Sequence, residues 1–271
     1  MSNERPLILF TNDDGIASPG LWKLAEAFRD VADVMIVAPM RQQSGTGRSL
    51  PNNSTGAVIP QEGKPLPAYA VDGTPAQAVQ HGVMEVASRH PDLIISGINY
   101  GENTGNGVTI SGTVGAAFEA ASFGIPAIAV SQRTDHNQHM TYSQEVDFTA
   151  SAHFTRRVAG WLLAGDLPPD IDIIKIDTPM HMSEETDWRF TRLSKKRVYW
   201  PVLPDRTTSY SPQTLGYAMT LDPAEAEPDS DVYAVFVDEV VSVTPLSLDM
   251  TARVDFEALT ESLAARDGQP D

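Results

Sequence analysis

Leu7-Ile8-Leu9-Phe10-Thr11-Asn12-Asp13-Asp14-Gly15-Ile16-Ala17-Ser18-Pro19-Gly20 is the stretch whose reading decides the fold. An apolar, partly β-branched run breaks off into an Asn and two adjacent carboxylates, and Gly15, Ser18 and Pro19 then announce a turn and a helix start. The strand therefore delivers Asp13 and Asp14 to its carboxyl end, where open α/β sheets bind their ligands. Neighbouring carboxylates in a confined site repel unless a proton or cation intervenes. A hard divalent cation with oxygen ligands answers that need, although Asp-Asp-Gly is also ordinary turn chemistry.

Downstream, Pro19 to Phe28 carries apolar residues at 21, 24, 25 and 28, the spacing of a helix with one buried face, and Asp33 to Pro39 reads as a second buried strand. A right-handed crossover makes these two strands parallel, the start of a Rossmann-like sheet. The following loop offers the Ser44 hydroxyl among Arg41, Arg48 and glycines, but no G-x-G-x-x-G follows the first strand, which speaks against a nicotinamide cofactor. Ala57 to Ile59 and Ala68 to Val71 predict a hairpin inserted in the crossover. Thr74 and Pro75 predict the cap and first position of a helix over Ala76 to Ser88.

Leu93-Ile94-Ile95 is a third buried strand, and Asn99 and Asn103 follow it among glycines. The Asn99 amide oxygen would complete an Asp, Asp, Ser, Asn oxygen site, with an Asn-rich turn as the structural alternative. Ser111-Gly112-Thr113 opens an Ala-rich helix, an arrangement that either simply caps the helix or presents amides and hydroxyls to an anion. Gly124 to Ser131 is another strand. His136 and His139 after it have metal-like spacing but read as loop. Helical spacing runs from Tyr142 to Ala164, and Asp172 to Asp177 is the next strand.

Beyond Pro179 the texture becomes β-prone and proline-punctuated. The segments Arg189–Leu193, Val198–Leu203, Val232–Val237 and Val240–Leu246 read as extended, either as hairpins that project from the core and invite a second subunit or as a simple extension of the sheet. The acidic link Asp222 to Asp231 reads as a solvated charge run. Phe256 to Leu263 predicts a short amphipathic helix, with a fraying polar tail after it.

The 271 residues include 36 acidic and 19 basic ones, a formal net charge of −17, and no cysteine. The charge opposes polymeric nucleic acid and anionic membrane surfaces as partners, and the composition leaves no thiol chemistry. A phosphorylated substrate then requires local masking by a cation or amides. With no signal-peptide pattern ahead of the first strand and no apolar run long enough to span a bilayer, a cytoplasmic location is expected.

Taken together, Asn12-Asp13-Asp14-Gly15, Ala38-Pro39 with Gln43-Ser44-Gly45, Asp72-Gly73-Thr74-Pro75-Ala76, Ser96-Gly97-Ile98-Asn99 with Gly101 and Asn103, Ser111-Gly112-Thr113-Val114, and Ser242-Val243-Thr244-Pro245-Leu246 resemble the survival protein SurE family. The resemblance implies a Rossmann-like three-layer α/β core with a mostly parallel sheet over residues 1–180, and a β-hairpin-rich oligomerisation region over 181–271. It implies a metal-dependent 5′/3′-nucleotidase acting on nucleoside monophosphates, a homodimer or homotetramer with one divalent ion per subunit, magnesium or manganese. By the same resemblance Asp13, Asp14, Ser44 and Asn99 are the metal ligands, and Asn12, Asn103, Ser111, Gly112 and Thr113 lie on the phosphate side. Asp13 and Asp14 are also the catalytic candidates, with the general base unassigned between them. Gln77, where the family commonly has Asp, and Ile174-Lys175-Ile176-Asp177-Thr178-Pro179, in place of an Asn-Val-Asn strand end, depart from the pattern and bear on base preference and local packing. A nucleotide-sensing module and a metal-dependent sugar-nucleotide transferase are the rival readings.

Overall fold

A computed structural model describes residues 4–139, 141–165, 168–205 and 215–265. Its centre is β1 (Leu7–Thr11), buried on both faces because its side chains alternate between two cores. Ile8 and Phe10 point to the side covered by α1 (Pro19–Glu26) and α4 (Thr149–Leu163), where Phe10 meets Phe28 edge-on at 5.2 Å. Leu7 and Leu9 point to the side covered by α2 (Pro75–His81) and α3 (Gly112–Ser122). Leu21 and Leu24 of α1 are completely buried, and each stabilises the fold by about 1.5–3 kcal/mol.

Nine strands make the sheet. They are β1, β2 (Asp33–Pro39), β3 (Val58–Pro60), β4 (Ala68–Val71), β5 (Leu93–Tyr100), β6 (Ala127–Gln132), β7 (Ile173–Thr178), β8 (Trp188–Phe190) and β11 (Val241–Leu246), in the order β3-β4-β2-β1-β5-β6-β7-β11-β8. The run from β4 to β7 is parallel, so these strands end on one edge; β3 lies antiparallel to β4 and β11 antiparallel to β7, while β8 runs parallel to β11. The expected α/β architecture and the hairpin in the crossover are both present.

Several expectations need correction. The helix read from Tyr142 begins only at Thr149, with Phe148 as N-cap, because just before it the Asp147 carboxylate accepts from the Thr149 amide at 2.9 Å and holds the chain in a local turn. The helix read as far as Ser88 leaves α geometry at Gly82 and finishes as one π-helical turn, Gly82–Val86. Val232 to Val237 is not extended: Asp231–Phe236 forms helix α5, capped by Ser230, whose Oγ accepts from Tyr233 N at 3.2 Å. The cap and burial of the helix override the β propensity of its valines. Within the supposed solvated link, Asp231 is completely buried. Val241–Leu246 does not project either but joins the main sheet as β11, pairing with β7. The projecting hairpin is made instead by β9 (Tyr199–Val202) and β10 (Gly216–Met219), the second of which was not read from the sequence. Phe256–Ala264 is helical as expected (α6), and the tail beyond it, from residue 266, lies outside the described residues.

The strand read as Leu93-Ile94-Ile95 continues to Tyr100 through an irregularity between Ser96 and Asn99, so Asn99 sits within the strand instead of after it. Gly97 makes this possible with φ +135°, and a Cβ there would lie 2.2 Å from the Val130 carbonyl oxygen. Gly97→Ala is therefore expected to destabilise the fold by roughly 1–3 kcal/mol. Gly160→Ala, on the exposed face of α4 with open space around it, should instead stabilise by about 0.5–1 kcal/mol. Denaturant unfolding of both variants checks the pair.

Candidate metal and phosphate site

The loop after β1 is locked before it presents any chemistry. Asn12 Nδ2 donates to the Gly15 carbonyl at 3.2 Å and its Oδ1 accepts from Gly15 N at 3.0 Å, closing a turn around the two carboxylates. Ile16 N bonds the carbonyl of Pro39 at 2.8 Å, and Gln43 N bonds that of Asp13 at 2.7 Å, tying the loop to the end of β2. The Asn12 side chain is thus committed to shaping the loop.

Asp13 and Asp14 are 4% and 2% exposed. Asp13 Oδ1 accepts from Thr113 Oγ1 at 2.6 Å. Gly112 packs so closely that a Cβ would lie 2.7 Å from Asp13 Cβ and 2.9 Å from its Oδ2. Only glycine lets the start of α3 approach the carboxylate this way. Asp14 has thinner support, Gln42 Nε2 at 3.1 Å and the Tyr100 amide at 3.4 Å, while its carbonyl accepts from Tyr142 Oη at 2.8 Å. Burial raises the pKa of Asp13 against the opposing hydrogen bonds from Thr113 and Gly112. Burial and then the charge of Asp13 push Asp14 well above the usual carboxylate range.

Among the described residues no Lys, Arg or His pairs with either carboxylate. Nor do they include a cluster of three or more His, Cys, Asp and Glu suited to a metal ion. An ion held here would have to complete its shell with neutral oxygens, which suits a hard cation and not a soft one. Two such oxygens lie on the same edge. Ser44 Oγ shares the Gln42 Nε2 donor with Asp14, at 3.2 Å. Asn99, next to the Tyr100 amide that reaches Asp14, donates its Nδ2 to the carbonyls of Gly101 (2.7 Å) and Tyr100 (3.3 Å), so Oδ1 is the atom it would offer an ion. The donor set therefore fits a divalent ion.

The remaining residues divide. Gly112 and Thr113 touch Asp13 directly, while Ser111 Oγ caps α3 by accepting from Val114 N at 3.2 Å. Asn103 lies further along the same edge, its Nδ2 donating to Ser131 Oγ at 2.8 Å. His139 approaches through its backbone, its carbonyl accepting from Gln42 Nε2 at 2.9 Å. Sequence reasoning passed over Gln42, which links Asp14 and Ser44; its place beside Ser44 after β2 is the one signal that marks it. It also passed over Glu102, buried beside Asn103 and accepting from the hydroxyl of Tyr199 on the hairpin. No signal in the sequence joins residues 102 and 199.

Burial is the main cause that pushes the Glu102 carboxyl up, from an ordinary 4.5 to about 7. The folded state then holds a proton that the unfolded chain releases above pH 4.5, so stability should fall as pH rises through this window and level off above pH 7. The span is on the order of 3 kcal/mol. Glu102→Gln, which keeps the acceptor for Tyr199, should make the fall shallower in unfolding measurements from pH 4.5 to pH 8, the rest coming from Asp13 and Asp14.

The family model described as survival protein SurE matches residues 8–200. A 5′-nucleotidase SurE of Thermococcus gammatolerans is 40% identical over 262 residues, 94% of this chain and 95% of its own. That of Methanothrix thermoacetophila is 40% identical over 263 residues, 94% of this chain and 98% of its own. The crystal structure of the SurE protein from Aquifex aeolicus superposes with a TM-score of 0.75 at 31% identity, covering 97% of this chain and all of the other. With the fold, the strand-end oxygens and these similarities in agreement, the chain belongs to the survival protein SurE family.

Proposed function

We propose that the protein is a divalent-metal-dependent phosphomonoesterase that hydrolyses nucleoside 5′- and 3′-monophosphates to nucleoside and inorganic phosphate. The observation that carries this reading is the buried Asp13–Asp14 pair, without a cationic partner among the described residues, set against the first turn of α3. The 5′-nucleotidases among its relatives supply the substrate class. Asp13, Asp14, Ser44 and Asn99 would hold one ion per subunit, magnesium or manganese. Such an ion, when bound, neutralises phosphate charge and acidifies a nucleophilic water. That masking matters in a chain of net charge −17, which otherwise repels an anionic substrate.

The chain's own groups supply the rest. The first turn of α3 sets Gly112 and Thr113 against Asp13, and the positive end of its dipole would favour the phosphate beside that carboxylate, with Asn103 and Ser111 on the same side and Asn12 holding the loop. Water forms its bond to phosphorus in line with the ester oxygen that leaves, and one of the two carboxylates takes the water's proton. A cleft of about 450 Å³ lined by Glu102, Asn103, Thr104, Arg197 and Tyr199, among others, offers room for the nucleoside.

Assembly into a homodimer or homotetramer is part of the proposal. Phe256, Leu259 and Leu263 share one face of α6, 64%, 53% and 68% exposed, and Trp200 on the hairpin is 50% exposed. Apolar surface of this kind is what subunit contacts cover.

Phosphate release from a panel of nucleoside monophosphates, with manganese, with magnesium and with chelator, tests the reaction. Asp13→Asn and Asp14→Asn should each lower kcat/KM by about 100-fold or more while circular dichroism stays unchanged. Nucleotide binding without phosphate release would favour a sensing module, and consumption of a nucleotide sugar without free phosphate a transferase. In light scattering, Leu259→Glu with Leu263→Glu should yield a lighter species than the unmodified chain.

A further inference from the structure

Lys175 and Asp177, two residues apart on β7, project to the same face of the sheet, and both are fully buried. Asp231, at the start of α5, is buried against them. The Lys175 ammonium donates to Asp177 Oδ2 and lies 3.1 Å from Asp231 Oδ2. Burial by itself would lower the Lys175 pKa, but the two carboxylates outweigh it and the net shift is upward, so the group is a cation. None of the three side chains contacts the Asp13–Asp14 pair or takes part in the hydrolysis outlined above.

Each carboxylate also accepts from the same turn. Asp177 Oδ1 accepts from the Asn103 amide at 2.7 Å, and Asp231 Oδ2 accepts from the Gly105 amide at 2.9 Å. Asp231 Oδ1 meanwhile holds the amides of Ser194 and Val232 at 3.0 and 2.9 Å. The Asn103 side chain is aimed by Ser131, which stands next to Asn99 on one side and Asp177 on the other in the sheet register. A buried ion cluster is a poor source of stability, because desolvation offsets its attraction and apolar residues of similar volume serve as well or better. Its distinctive property is directional: fixed charges holding specific amides leave the turn one conformation.

We propose that Lys175, Asp177 and Asp231 form a buried charged clamp that fixes the Asn103–Gly105 turn, so that Asp177 and Asp231 are positioning residues for Asn103 on the phosphate. The clamp's catalytic role rests on the nucleotidase reading and on Asn103 lying at the phosphate. Lys175 is the counter-ion that both carboxylates share inside the core.

Steady-state hydrolysis of AMP with manganese tests this through a double-mutant cycle. Asn103→Ala and Asp177→Ala should each lower kcat/KM by about 10- to 100-fold, mostly through KM, and Asp177→Ala should cost less than about twofold once Asn103 is already Ala. Because Asp177→Ala strands a buried ammonium and can impair folding, a charge-balanced pair accompanies it. Lys175→Met with Asp177→Asn keeps the acceptor for the Asn103 amide and should restore most activity, whereas Lys175→Met with Asp177→Leu should not. Hydrogen exchange at the Asn103 amide should be slow in the former and fast in the latter. Equal costs of Asp177→Ala with and without Asn103, or equal activity and exchange in the two paired variants, overturn the clamp alone. An active wild type indifferent to Asn103→Ala overturns the clamp's role at the phosphate. A wild type that releases no phosphate with any divalent ion overturns the nucleotidase reading and takes the clamp's catalytic role with it.

Discussion

Two carboxylates, adjacent in the chain and almost sealed from water, stand at the end of the central strand without a cationic partner among the described residues. Desolvation and mutual repulsion both act against their ionised forms. A proton or a cation relieves such a pair, and several segments of the surrounding structure hold it in place. The Asn12 turn, the bond from Gln43 to the Asp13 carbonyl and the contact of Thr113 with Asp13 each act on the pair from a different segment.

The scaffold makes this economical. Because β1 is flanked by parallel strands and covered by helices on both faces, its backbone has no freedom to relax the loop that follows it. Three separate strand ends converge on the same edge: β1 brings the carboxylates, the loop after β2 brings Gln42 and Ser44, and β5 brings Asn99. The irregularity at Gly97 turns the end of β5 so that the Tyr100 amide reaches Asp14. The start of α3 then comes close enough to touch Asp13 because Gly112 has no side chain.

Further along the same edge the solution differs. At the Lys175 cluster the counter-charge is built into the chain, so the carboxylates are spent on backbone amides and nothing external is needed. Two acidic centres on one sheet edge thus differ, one without a cationic partner among the described residues and one with its counter-charge in the chain. The exposed aromatics of the hairpin and the bare apolar face of α6 belong to neither; they are surface that the chain leaves uncovered by itself.

Local chemistry alone settled a good deal. A continuous apolar run ending in Asn12-Asp13-Asp14-Gly15 determined a buried strand with carboxylates at its end, and the succession of such strands and amphipathic helices determined the layered α/β core. The Ser111-Gly112-Thr113 helix start and the oxygen-rich loop at Ser44 were likewise legible, because turn and cap preferences act over three or four residues. What only the tertiary structure decided involves partners far apart in the chain. Val232 to Val237 reads as strand until Ser230 caps it and Asp231 finds Lys175, 56 positions away. Val241 to Leu246 reads either as a projecting hairpin or as a sheet extension until β7 pairs with it. Gln42 acquires meaning only when Asp14 and Ser44 flank it, and Glu102 only when Tyr199 closes over it. Propensity and pattern are short-range properties, whereas burial, ion pairing and strand pairing depend on which distant segments the fold brings together, and no local window of sequence contains that information.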